Sequence, residues 1–136
     1  MNKVLKSNSG QSLVLFLVLV LAILMFATFV IDLTNTKQNE KSLENTSKII
    51  INYGLKHIEE DIEEKLDNLL KENEKDLDDY KISIDKEKKE IDIYTKKNVK
   101  GVFGKIIGKD IYIIEVRYKG RVEEEKITYE RVDIDG

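Results

Sequence analysis

LVLFLVLVLAILMFATFVI, residues 13–31, decides how the rest of the chain is read. Its 19 residues carry no charge and one weakly polar side chain, Thr28. As an α-helix the run extends about 28 Å, close to the hydrocarbon thickness of a bilayer. In lipid every backbone N–H and C=O must be paired within the chain, which a continuous helix achieves unaided. Apolar side chains go all round the segment rather than along one stripe, as expected for a helix surrounded by lipid or buried on every side. A cleavable signal peptide has a shorter apolar region, about 7–15 residues, followed by small residues at the cut. Here the run is longer, and the FVIDLTN that closes it has no small-x-small pattern. The reading is a retained span from Leu13 to Ile31, within a transmembrane helix over residues 10–32.

On the N-terminal side, Lys3 and Lys6 are the only charged side chains before Asp32. With the terminal amine they place Met1 to Ser9 in the cytoplasm by the positive-inside rule, and the rest of the chain outside. The expected location is therefore the cell membrane, single-pass, with an extracytoplasmic C-terminal domain. From Asp32 onward lie all 26 acids and 21 of the 23 bases, a net charge of −5. Nucleic-acid binding would need a basic face for phosphates, and neither that nor an RNA-type aromatic motif is present. With no cysteine, disulfides, thiolate zinc sites and cysteine nucleophiles are excluded together. With no proline, no helix end or turn is made by one.

Beyond the span a helical period resumes. Ile51, Leu55, Ile58, Ile62, Leu66 and Leu69 follow one another at steps of four and three, with Glu59, Glu60, Glu63, Glu64 and Lys65 between them. One helix is expected over residues 33–79, with Gly54 a mild defect of about 1 kcal/mol against Ala. Its end is expected where DLDDY crowds carboxylates onto the terminus that disfavours them. The period then changes to two. YKISID (80–85) and EIDIYT (90–95) alternate apolar and polar residues around a KEKK turn. IYIIEVRYKG (111–120) places Tyr112, Ile114, Val116 and Tyr118 on one face, Lys119-Gly120 reads as a second turn, and VEEEKITYERV (122–132) as the last strand. GVFGKIIGKD (101–110) reads as a short helical turn or loop with an apolar side. The expectation is an α+β protein in which the transmembrane helix continues into a long amphipathic helix. That helix packs on a small, mostly antiparallel four-stranded sheet over residues 80–136.

Chemistry is harder to find. His57 is the only histidine, and nothing near it in sequence supplies metal or triad partners. EEDIEEKLD (59–67) reads as helical, and DLDD (76–79) lacks the glycine turn of a calcium loop. GKIIGKD lacks the spacing and ending of a phosphate-binding loop. No catalytic, cofactor-binding or metal residue is assigned, and neither an enzyme nor a small-molecule substrate is expected.

In order along the chain stand Gly10-Gln11-Ser12-Leu13-Val14, a phenylalanine, the span, Val30-Ile31-Asp32-Leu33 and a polar helix. This order resembles the N-terminus of the TadE/TadG-like proteins of the tight-adherence (Flp) pilus system. The segment from Lys37 to Leu55 occupies the place of that family's alanine-rich helix, with the alanines absent. Val102-Phe103-Gly104-Lys105-Ile106-Ile107-Gly108 is similar to the Phe-x-x-x-x-Gly step before the family's last strands. The resemblance implies a membrane-anchored protein of pilus assembly, a minor pilin-like or accessory subunit whose partners are pilus or secretion-machine proteins. Pilin-type members carry Glu five residues after the processing glycine, and Leu15 stands at that place counted from Gly10. An unprocessed Gly10–Gln11 bond and a permanent anchor are therefore expected. The alternative is a signal-anchored extracytoplasmic binding or sensory module unrelated to pili, for which the stub of residues 1–9 is expected to be too short to carry an output domain.

Overall fold

The computed structural model describes residues 2–108 and 111–134; Met1, Lys109, Asp110, Asp135 and Gly136 lie outside the described residues. The chain is α+β, in the order α1 (Asn2–Lys56), α2 (Glu63–Asn73), β1 (Asp79–Asp85), β2 (Glu90–Lys100), α3 (Val102–Ile106), β3 (Ile111–Glu123) and β4 (Lys126–Arg131). The four strands form one antiparallel sheet in the order β1-β2-β3-β4.

Helix α1 runs unbroken for 55 residues, about 82 Å at the rise of an α-helix. No proline occurs, and no glycine stands between Gly10 and Gly54, so nothing in the backbone interrupts it. Its apolar half is exposed to the surroundings. Its second half buries a stripe of Leu43, Thr46, Ser47, Ile50, Ile51, Gly54 and Leu55, spaced as one helix face, against β2 and β3. The sheet answers with Ile91, Ile93, Thr95 and Val99 of β2 and Ile114, Val116 and Tyr118 of β3, all buried. The alternation read in the sequence is thus the core face of the sheet, while the opposite face is polar, with Asp92 and Arg117 paired on it, except at its Ile111–Ile113 end.

The single helix expected over residues 33–79 is two helices. After Lys56 the chain turns, with the His57 N–H donating to the Gly54 carbonyl at 3.2 Å and the Glu60 N–H to the His57 carbonyl at 3.0 Å. The acidic run explains the break. Glu59, Glu60 and Asp61 would crowd the negative end of α1, whereas Glu63 and Glu64 occupy the favourable first turn of α2. Only the second half of EEDIEEKLD is therefore helical. The apolar spacing survives the turn because Ile58 and Ile62 still point into the core, followed by Leu66 and Leu70; Leu69 packs only at its edge. Helix α2 ends at Asn73, short of the expected 77–79. Glu74 closes it by returning its carboxylate to α1, where Oε1 accepts from Ser42 Oγ at 2.7 Å and Thr46 Oγ1 at 3.2 Å, with Lys97 Nζ 3.6 Å from Oε2.

The turn expected at Lys119-Gly120 is instead strand interior. β3 continues to Glu123, and the reversal falls on Glu124-Glu125, both in the left-handed region at φ 49° and 65°. A turn at 119–120 would have set Glu123 opposite Val116 and Glu125 opposite Ile114, placing carboxylates on the core face. The observed register sets Val122 opposite Ile127 and Gly120 opposite Tyr129. It also brings Arg131 to α1, where Nη1 pairs with Glu40 and Glu44. Gly120 is needed for a different reason from a turn. A Cβ there would fall inside Ile51 Cγ2, and a Cβ at Gly54 would fall inside Ile91 Cδ1. Gly54, read above as a mild defect, is one of the two points where helix and sheet come closest.

Gly120→Ala is expected to destabilise the chain by about 1–3 kcal/mol through overpacking, where an unconstrained strand glycine would gain stability on the same change. Urea unfolding in detergent micelles checks the sign.

A second outcome concerns Asp67 of α2. The Tyr80 hydroxyl donates to its Oδ1, Lys71 Nζ lies 2.9 Å from Oδ2, and together they hold its carboxyl below the ordinary value of 3.8. A depressed carboxylate stabilises the fold fully above the unfolded value and loses that contribution as the pH falls through the folded one. The stability difference between the wild type and Asp67→Asn is therefore expected to be constant near neutrality and to shrink below the ordinary carboxylate value, as measured by unfolding at a series of acidic pH values.

Candidate functional site at the foot of the domain

The apolar half of α1 is long and apolar enough to cross a membrane, and 0% of its most apolar window is buried within the protein. This fits a membrane-anchored protein. Gly10 lies inside the continuous helix with nothing near the place of a Cβ, and Leu15 is 70% exposed. Neither is brought near any other candidate residue. Asp32 is.

Asp32 is the first charged side chain after the apolar run, and it is only 4% exposed. Its Oδ1 accepts from the Val102 N–H at 2.7 Å, and its Oδ2 from the Gly104 N–H at 3.1 Å and the Tyr112 hydroxyl at 3.1 Å. Those two amides belong to the first turn of α3, where no intrahelical acceptor exists. Gly101, at the N-cap position, makes no side-chain cap bond, so Asp32 caps α3 from 70 residues away. Charge-assisted bonds of this kind are about twice as strong as neutral ones, and they replace the water that burial removes.

Gly101 makes the clamp possible, since a Cβ there would fall inside the Tyr112 ring and lie 2.6 Å from Asp32 Oδ2. Burial, reinforced by the neighbouring Asp32 carboxylate, pushes the Tyr112 phenol up, so it stays a donor at neutral pH. One turn before Asp32, Phe29 meets Phe103 edge-on, ring centroids 5.3 Å apart, and Phe26 follows at 6.5 Å from Phe29. The last turn of the apolar helix thus holds α3 by one apolar and one charged contact on the same face.

The remaining candidates separate from this site. His57 stacks on Tyr53, centroids 4.3 Å apart, and its Nδ1 donates to the Tyr53 carbonyl at 2.9 Å, an arrangement that closes the end of α1. Among the described residues no group of three or more His, Cys, Asp or Glu side chains is arranged to hold a metal ion. On the open face of the sheet, Lys81, Ser83, Asp92, Tyr94, Arg117 and Ile134 line a shallow hollow of about 340 Å³. Its guanidinium is already engaged with Asp92, Nη2 to Oδ2 at 2.6 Å and Nε to Oδ1 at 3.0 Å. No family model, curated protein or solved structure matches the chain.

Asp32→Ala removes the acceptor for two α3 amides at once, and hydrogen exchange at Val102 and Gly104 is expected to accelerate roughly tenfold or more. Asp32→Asn keeps one acceptor oxygen and should fall between. Exchange in the β1–β2 pairing, which does not touch Asp32, should be unchanged in both. Hydrogen exchange with mass spectrometry of the full chain in micelles reads all three.

Proposed function

We propose that the chain is a non-enzymatic, single-pass component of Flp/Tad-type pilus assembly, a minor pilin-like or accessory subunit. Its N-terminus lies in the cytoplasm, and its outer domain contacts pilus or secretion-machine proteins. The observation that carries this reading is the meeting of the two segments that resemble the TadE/TadG-like family. Asp32 of Val30-Ile31-Asp32-Leu33 accepts from the amide of Gly104, within the Phe103–Gly108 step, and from that of Val102 immediately before it. Two motifs that are each weak alone form one structural device, which accounts for their occurring in that order.

The long helix supports the sub-type. In pilin-type subunits an acid near the start of the span needs a partner amine in an apolar surrounding, and a charge there without its partner is costly. Leu15 carries no such requirement, so this helix suits residence in lipid as a permanent anchor. The outer domain presents a polar sheet face and two edge strands, β1 and β4, to partners.

Deleting the chain from its own cells is expected to reduce surface pili, counted by electron microscopy, and pilus number and length left unchanged would overturn the assembly role. Mass spectrometry of the mature protein tests the anchor. An intact N-terminal segment is expected, whereas a mature N-terminus at Gln11 would mean pilin-type processing, and one near Asp32 would mean a cleaved signal.

A further inference from the structure

Beyond the apolar run of α1, the exposed large hydrophobic side chains among the described residues are few: Leu33, Ile49, Val102, Ile106, Ile107, Ile111, Ile113 and Tyr129. Five of these eight, from Val102 to Ile113, lie at the same end of the domain, Val102, Ile106 and Ile107 on α3 or just after it and Ile111 and Ile113 at the start of β3, on the sheet face turned away from α1. Among the described residues nothing covers them, and in water such a cluster is unfavourable. Its position is fixed by the clamp. Phe103 packs on Phe29, within the apolar run and about 3 Å along the helix from its end at Ile31, and Asp32 binds the first turn of α3. Any bilayer that contains residues 13–31 therefore has its outer boundary at the level of α3.

From this we infer that α3 and the first residues of β3 form a second membrane contact, a foot resting in the outer interfacial layer beside the span. The occupant of the apolar cluster is lipid. Continuity argues for it, because the cluster joins the exposed surface of the span through the Phe29–Phe103 contact, with the charge at the junction, Asp32, buried and fully hydrogen-bonded. Composition agrees. Ile106 ends α3 and Ile107 follows it, both exposed, with the exposed Lys105 in the same turn and Lys100 just before the helix, the arrangement of an interfacial segment whose long amines reach toward headgroups. A span alone leaves helix and domain free to tilt together, whereas span and foot together define a plane.

The inference rests on residues 13–31 crossing the bilayer, and the test separates the two. The chain contains no tryptophan, so a single introduced one reports alone. Four variants of the full chain, Leu21→Trp, Ile49→Trp, Val102→Trp and Ile106→Trp, are reconstituted in phosphatidylcholine vesicles containing a fraction of anionic lipid. Quenching is compared between lipids brominated near the glycerol end of the acyl chain and lipids brominated near its methyl end.

Expected are deep quenching for Leu21→Trp, none for Ile49→Trp, and shallow quenching with blue-shifted emission for Val102→Trp and Ile106→Trp. Leu21→Trp unquenched would overturn the span and the foot with it. Leu21→Trp quenched with both α3 variants unquenched would overturn the foot alone. In the second case, a blue-shifted emission would assign the cluster to a protein contact, with another copy or a partner. Both α3 positions are exposed and stand outside the core cluster, and preserved hydrogen-exchange protection in β2 and β3 verifies that each variant is folded.

Discussion

A carboxylate at the end of an apolar helix is in a poor environment unless donors are brought to it, and the arrangement of this protein follows from how Asp32 finds them. Two come from backbone amides that open α3 and would otherwise lack acceptors, and the third is a phenol from β3. Each side removes the other's deficit. The acid would be costly to bury alone, and the first turn of a five-residue helix would fray alone. Joined, they fix where the hairpin between β2 and β3 lies against α1, and so the angle at which the sheet meets the long helix.

Once that lower contact is set, the upper part depends on close approach. Gly54 on α1 and Gly120 on β3 remove side chains where Ile91 and Ile51 would otherwise collide with them. Ser47 belongs to the same stripe. Its buried hydroxyl has no hydrogen-bond partner among the described residues, so its contribution there is small size. The remaining sides are closed by long-range polar contacts, Arg131 to Glu40 and Glu44, and Glu74 to Ser42 and Thr46. The helix is thus held at its lower end by charge and hydrogen bonding, in the middle by shape, and along its flanks by ion pairs on one side and hydrogen bonds to Glu74 on the other.

Local periodicity made much of this legible in advance. The apolar run and the alternation that became β1, β2 and β3 follow from residue spacing alone, while GVFGKIIGKD, open between a helical turn and a loop, is helical over residues 102–106. The misreadings share a cause, in that tertiary demands overrode a local signal. Ile58 and Ile62 kept helical spacing across a turn, which concealed the break between α1 and α2. Lys119-Gly120 looks like a turn, but its glycine serves the approach of Ile51, and the reversal went to two glutamates because that register keeps acids off the core face. Asp32 was visible as the first charge after the run. Its partners were not, since they stand 70, 72 and 80 residues away and no local pattern links them.

The continuity of α1 has a mechanical consequence. With no hinge between its apolar half and the stripe that carries the sheet, the helix acts as a shaft and the sheet as a vane keyed to it. Torque applied to either end is delivered to the other, and a lateral neighbour that selects one side of the shaft within its apolar half also selects which side of the vane it meets about 40 Å away. Helix–helix recognition in one layer and surface recognition in another are therefore a single choice of azimuth.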